Sequence, residues 1–220
     1  MNSIIVGDGE IGKSLHKIIG GDITGYTLRP EKYDIMHICF PYSEEFIEEV
    51  ERYKELFHPK YTVIHSTVPV GTSRQCEAIH SPVMGIHPYL EESLKTFTKY
   101  LGGDNAEEVS DYFRRFGIKV YITDKSETTE LMKLMCTLKY GIDIEFTKDV
   151  KRQCDKYKVP FEFYTLWNEN YNKGYTKLEQ EQFVRPNLIP NMKKIDGHCV
   201  RNNAELIETT FTKLLKTLST

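Results

Sequence analysis

The sequence has 220 residues, of which 40% are hydrophobic, 12% aromatic and 28% charged, with a formal net charge of −3, a composition that excludes a disordered chain. The balance of charge gives no reason to expect a nucleic acid or an anionic membrane as partner. No apolar run reaches the ~18 residues of a spanning helix, and the N-terminus lacks the layout of a signal peptide, so a cytoplasmic location is expected. Cys39, Cys76, Cys136, Cys154 and Cys199 are odd in number and form no C-x-x-C pair, so neither a disulfide framework nor a metal site is expected.

The chain opens with Ile4-Ile5-Val6-Gly7-Asp8-Gly9-Glu10-Ile11-Gly12, an apolar strand running into a G-x-G-x-x-G turn. In such a turn the first glycine makes the bend, the second lets backbone approach a pyrophosphate, and the third lets the following helix pack on the strand. The helix N-terminus then faces the phosphates. Gly7, Gly9, Glu10, Ile11 and Gly12 are therefore the candidate cofactor-binding residues. A ligand-free turn of an ordinary α/β protein is the plainer alternative, and the amphipathic stretch 13–19 that follows favours the dinucleotide.

Residues 23–28 read as a second strand, followed by Arg29-Pro30-Glu31. Arg29 suits the 2′-phosphate of NADP and Glu31 the free ribose hydroxyls of NAD, while two solvated charges at a turn fit equally well. NAD and NADP both stand. The run 35–40 is almost wholly apolar and ends at Pro41, as in a parallel strand buried on both faces. Residues 44–57 predict a covering helix, 61–65 another strand, 75–80 a helix, 83–86 a strand, the stretch around Val109 and Phe113 a helix, and 118–122 a last strand. Strand alternating with helix implies right-handed crossovers and a parallel sheet with ligands at its carboxyl edge.

Ser126 then caps a helix predicted to run to Tyr157, with Leu131, Leu134, Met135, Leu138, Ile142, Phe146 and Val150 on its apolar stripe. A helix of that length commonly packs against a second subunit, so a homodimer through it is expected. Beyond Pro160 come Phe161, Phe163, Tyr164 and Trp167, an asparagine-rich stretch, the turn Asp196-Gly197-His198-Cys199 and a final helix over 204–218. The expected fold class is α/β: a Rossmann-like parallel sheet over 1–123, followed by a mainly α-helical domain over 124–220 with a long central helix.

Seven segments in order carry a resemblance to a family: GDGEIG at 7–12, ICFP at 38–41, STVPVGT at 66–72, SP at 81–82, GGDN at 102–105, ELMK at 130–133 and GHC at 197–199. Together they make the chain resemble the nucleotide-sugar 6-dehydrogenases, typified by UDP-glucose and GDP-mannose dehydrogenases. STVPVGT and GHC are far more specific than the glycine turn. The resemblance implies a proline-containing loop beside the nicotinamide, with Pro41 and Thr67 on the cofactor. It implies a helix lysine, Lys133, steadying the reacting oxygen, and a cysteine, Cys199, adding to an aldehyde intermediate. It implies a small-molecule, sugar-derived substrate. The chemistry is sound in its own right, because a second hydride leaves the carbon only after a nucleophile has added to the aldehyde. A lysine on an apolar helical turn suits a developing alkoxide and also suits plain snorkelling past a core, and a free cysteine is commonly a small buried hydrophobe.

The departures from the pattern are Thr137 for the family's asparagine, Asn203 for its aspartate and Val83 for its glutamate. His87, four residues beyond Val83, could act as acid/base in its place or serve only the loop. The resemblance also implies a further α/β domain for the nucleotide of the substrate, so the sequence is expected to be a shortened member. Three functions remain open: an NAD(P)-dependent oxidoreductase acting on an alcohol or aldehyde of a sugar-like substrate, a two-electron dehydrogenase of the 3-hydroxyacid type, and a non-catalytic dinucleotide-binding module.

Overall fold

The computed structural model describes residues 1–24, 32–190 and 198–218, with side chains from 200 onward in the last stretch. The chain divides into two compact units, Met1–Leu134 and Met135–Thr220.

The first unit is built on a seven-stranded sheet in the order β2-β1-β3-β4-β5-β6-β7. Its strands are β1 Ser3–Val6, β2 Asp22–Ile23, β3 Ile35–Ile38, β4 Tyr61–Ile64, β5 Ile79–His80, β6 Lys99–Gly102 and β7 Val120–Thr123. All neighbours are parallel except β5 and β6, which meet antiparallel with His80 opposite Gly102. The helices are α1 Glu10–Ile19, α2 Phe46–Phe57, α3 Thr72–Gln75, α4 Leu90–Thr96, α5 Ala106–Arg114 and the start of α6, Ser126–Tyr157.

The apolar strands read as buried on both faces, and two separate cores bear this out. Ile5, Ile35 and Val63 pack with Leu15 of α1 and Val109 and Phe113 of α5. Ile4, Val6, Met36, Ile38 and Ile64 pack with Phe46, Val50 and Phe57 of α2. Period-two alternation thus sends neighbouring residues of each strand into opposite layers.

Three readings of local structure need correction. Residues 75–80 are not a helix: α3 ends at Gln75 and β5 begins at Ile79. Residues 83–86 form no strand and belong to a loop. The chain instead adds α4 and the strand β6, whose lysine-tyrosine-leucine-glycine sequence carries no alternation long enough to read. The second predicted strand is described only as far as Thr24, and 25–31 lie outside the described residues.

In the second unit the distal half of α6 is followed by α7 Glu162–Lys177, a 3-10 turn Glu181–Phe183, α8 His198–Glu205 and α9 Thr210–Leu218. The asparagine-rich stretch is therefore helix, and the predicted final helix is two helices. Leu138 of α6 packs with Val200 and Ala204 of α8 and Leu215 of α9. A Cβ added at Gly141 would come within 2.6 Å of Val200 and 3.1 Å of Leu215, so the glycine makes room for both helices.

Candidate functional site

The carboxyl end of β1 enters the glycine turn, and each glycine there has a distinct local reason. Gly7 has φ +111°, and a Cβ on it would meet the Cys39 and Phe40 backbone at 3.0 Å. Its N–H donates to the Thr24 hydroxyl at 3.1 Å, tying the turn to the chain leaving β2. A Cβ on Gly12 would overlap the Gly7 carbonyl oxygen, so only glycine lets α1 sit this close to β1. A Cβ on Gly9, by contrast, would meet nothing within 4 Å. Gly9 is the N-cap of α1 and makes no side-chain cap, which leaves the first turn's amides without a side-chain acceptor. An open second glycine at an uncapped helix start, against a closed first and third, is the geometry that a pyrophosphate requires. The residues present fit a dinucleotide.

Glu10, exposed in the first turn of α1, would repel a phosphate if it stood free. Its carboxylate is held by His87 Nδ1, from the loop after β5. The structure thus brings two candidate residues together, His87 of the loop after β5 and Glu10 of the glycine turn. Ile11 is half-buried and packs on the α1 and α5 core. Pro41 lies exposed just past β3, and Thr67 lies half-buried in the loop leaving β4. Arg29 and Glu31 lie outside the described residues.

The roots of these loops are firmly built. The strand ladder continues past the strand ends, with Cys39 N–H on Val6 O at 2.8 Å, His65 N–H on Ile38 O at 2.9 Å and Ser81 N–H on Ile64 O at 2.8 Å. The Ser66 hydroxyl donates to the Phe40 carbonyl. His80, fully buried, places Nε2 3.1 Å from the Ser66 carbonyl and Nδ1 2.8 Å from the Thr129 hydroxyl. A carbonyl only accepts, so Nε2 carries the hydrogen and Nδ1 accepts from Thr129. Burial holds this imidazole neutral, its pKa lowered to about 3.

The opening turns of α6 reach these loops from the other side. Glu130, with no exposed surface, accepts the Gly71 N–H at 2.6 Å and the Ser73 N–H at 2.8 Å. Glu127 pairs with the exposed Arg74 at 2.6 Å. Lys133 donates to the Val83 carbonyl at 2.8 Å, so its ammonium is anchored on the loop after β5. The Val83 side chain is apolar and buried, and its backbone oxygen takes the bond.

The second unit contains the other candidates. Cys199 lies in the first turn of α8, and its side chain lies outside the described residues. Asn203, one turn on, donates to the Thr137 hydroxyl of α6 at 3.2 Å. Two of the three departures from the family pattern are thus partners of one another. Sequence reading missed Glu130 as a loop anchor, although a carboxylate on an otherwise apolar turn beside Leu131 and Leu134 was a usable signal. Among the described residues, no three histidine, cysteine or acidic side chains gather as metal ligands would, and no helix is long and apolar enough to cross a membrane.

No protein-family model matches the sequence, and no curated protein matches it. Solved structures do resemble it. UDP-D-ManNAc dehydrogenase from Pyrococcus horikoshii aligns over 100% of this chain and 68% of its own, with a TM-score of 0.77 at 13% identity. The 3-hydroxyisobutyrate dehydrogenase of Mycobacterium tuberculosis aligns over 99% of this chain and 92% of its own, with a TM-score of 0.64 at 10% identity. A protein solved with NADP+, Psf3, aligns over 98% and 92%, with a TM-score of 0.59 at 10% identity. At these identities the likeness establishes the fold: a Rossmann-like sheet followed by helices, with one long helix between.

Proposed function

We propose that this chain is an NAD(P)-dependent oxidoreductase of the nucleotide-sugar dehydrogenase kind, oxidising an alcohol or aldehyde of a sugar-derived substrate. The observation that carries the reading is the glycine turn, closed at Gly7 and Gly12 and open at Gly9. The dehydrogenases among the solved neighbours support it, as do the STVPVGT and GHC segments. The nicotinamide ring supplies the hydride acceptor when bound. The α1 amides hold its pyrophosphate, with Glu10 kept aside by His87. Thr67 and Pro41 border the cofactor on the loops after β4 and β3. Lys133, held at the Val83 carbonyl, supplies the positive charge that steadies the reacting oxygen. Cys199 is the nucleophile: its thiolate adds to the aldehyde carbon, hydride then leaves that carbon, and water releases the resulting thioester as acid and thiol. The chain works as a homodimer, through apolar side chains that α6 and α7 expose.

Titration with NADH and NADPH tests this directly. Binding of at least one is expected, and Gly9→Val should abolish it, because the branched side chain fills the space kept open at the helix start. Failure of both cofactors to bind the wild-type chain overturns the proposal. A second reading, a two-electron dehydrogenase of the 3-hydroxyacid type with Cys199 a bystander, is favoured by one observation: the mutually bonded Thr137 and Asn203 replace the groups that would position water for thioester hydrolysis. Cys199→Ser separates the two: under the first it halts oxidation at the aldehyde, and under the second it leaves the two-electron oxidation unchanged.

A further inference from the structure

Glu130 is a buried carboxylate that accepts from two backbone amides, that of Gly71 at the end of the loop that leaves β4 and that of Ser73 in the first turn of α3. Gly71 N–H and Ser73 N–H lie 2.6 and 2.8 Å from its two oxygens. A buried carboxylate is costly unless charge-assisted hydrogen bonds repay it, and two short bonds to backbone do so at one loop geometry only. The same helix turn holds the neighbouring loop through Lys133 and the Val83 carbonyl. Thr129, between them, reaches His80 and through it the Ser66 carbonyl. In an open sheet whose order reverses at β1, a dinucleotide lies across the carboxyl edge with its adenosine half toward β2. Its other half must then extend over β3 and β4, where the loop 66–72 emerges.

We infer that Glu130 is a positioning residue for the nicotinamide half of the site: through the Gly71 and Ser73 amides it fixes the loop that carries Thr67. This rests on the dinucleotide reading above. Glu130 touches neither cofactor nor substrate in this scheme. It acts through backbone, and the adenosine half of the site is independent of it.

The test compares NADH with ADP-ribose, which keeps the adenosine and pyrophosphate but lacks the nicotinamide. In Glu130→Gln one amide keeps its acceptor and the other meets an NH2 donor. ADP-ribose affinity should stay unchanged while NADH affinity falls roughly tenfold and the enhancement of bound NADH fluorescence is lost. Glu127→Gln, at the exposed pair with Arg74, should leave both ligands unchanged. A parallel loss of both ligands in Glu130→Gln, no loss of either, or the same selective loss in Glu127→Gln overturns the assignment. Wild-type protein that binds neither ligand overturns the dinucleotide reading and this inference with it. If Glu130→Gln does not fold, hydrogen exchange of the wild-type chain decides: the Gly71 and Ser73 amides should be protected, and exchange at the rate of an unbonded loop removes the anchor.

Discussion

Lys99 opens β6 inside the core, and among the described residues no carboxylate pairs with it. Its Nζ lies 3.2 Å from His65 Nδ1 and 3.3 Å from the Ser81 carbonyl, over the Phe113 ring. His65 Nε2 lies 3.0 Å from His37 Nδ1, and His37 Nε2 has no hydrogen-bond partner. As an ammonium, Lys99 donates to His65 and Ser81, and the chain of hydrogen bonds ends on an unmatched His37 N–H. As a neutral amine it lets His65 Nδ1–H turn to the Ser81 carbonyl, and His37 then donates to His65. Burial, opposed only by the nearby Cys39 thiol, lowers the Lys99 pKa to about 7. Burial and then the Lys99 charge lower His37 to about 3 and take His65 well below its ordinary value, with His37 and His80 adding to the latter. The folded state therefore binds fewer protons than the unfolded one, and the sign follows. Stability that Lys99 leaves intact above its ordinary pKa of 10.5 is lost as pH falls toward about 7, and His37 repeats this from 6.5 toward about 3. Urea unfolding of wild type and Lys99→Met should diverge as pH is lowered from about 10 to about 7, by up to ~1.4 kcal/mol per pH unit, with no further change just below. A pH-independent difference would mean that Lys99 does not titrate in the core. None of this was legible in the sequence, because His37 and Lys99 lie on β3 and β6 and His65 just past β4, and the three meet only when those strands are assembled. The bend at Gly7 and the close helix packing at Gly12 were legible, because they depend on one turn.

At the scale of elements, α1, α2 and the first half of α6 could be read because each repeats an apolar stripe over several turns, and the expected end of α6 at Tyr157 agrees with its observed range, Ser126–Tyr157. The helix α7 could not be read, and its inverted side-chain pattern explains why. Asn168 is 1% exposed and neither amide atom has a partner, whereas Phe163 and Trp167 are 68% and 71% exposed. The distal half of α6 does the same, burying the Lys148 and Glu145 pair at 2.8 Å while Phe146 stands out. Helices that turn polar groups inward and aromatics outward lack the usual amphipathic signature, and in water they leave apolar area uncovered. The proposed homodimer covers it. Large buried aromatics dominate such interfaces, so Trp167→Glu should convert a dimer to monomer in sedimentation equilibrium, weakening association by at least ~2 kcal/mol. Phe57→Ala, in the first unit's core, serves as a control that lowers stability and not association. If Trp167→Glu leaves the mass unchanged, this face does not join two copies.

Across the whole molecule the candidate groups are split by unit. The cofactor residues and Lys133 lie in Met1–Leu134, and Cys199 lies in Met135–Thr220. Strand-helix alternation gives way to helices after β7 and could be read from pattern, while the anchoring of the loops by α6 depends on contacts spanning 49 to 59 residues. The cysteines allow the second unit's role to be measured without knowing the substrate. Burial raises the thiol of Cys39 to about 12 and that of Cys76 to about 11, so neither forms thiolate at neutral pH. Cys136 is exposed and Cys154 is partly so, and both would label as background. In a chain carrying Cys136→Ser and Cys154→Ser, a thiol reagent at pH 7 should therefore report Cys199 alone. The proposed nucleophile must be reachable and at least partly thiolate, so this chain should take up one label faster than a free cysteine of ordinary pKa, and lose that label with Cys199→Ser. If the folded chain carrying Cys136→Ser and Cys154→Ser takes no label at pH 7, Cys199 is no working nucleophile, and the hydride chemistry would then stop at two electrons.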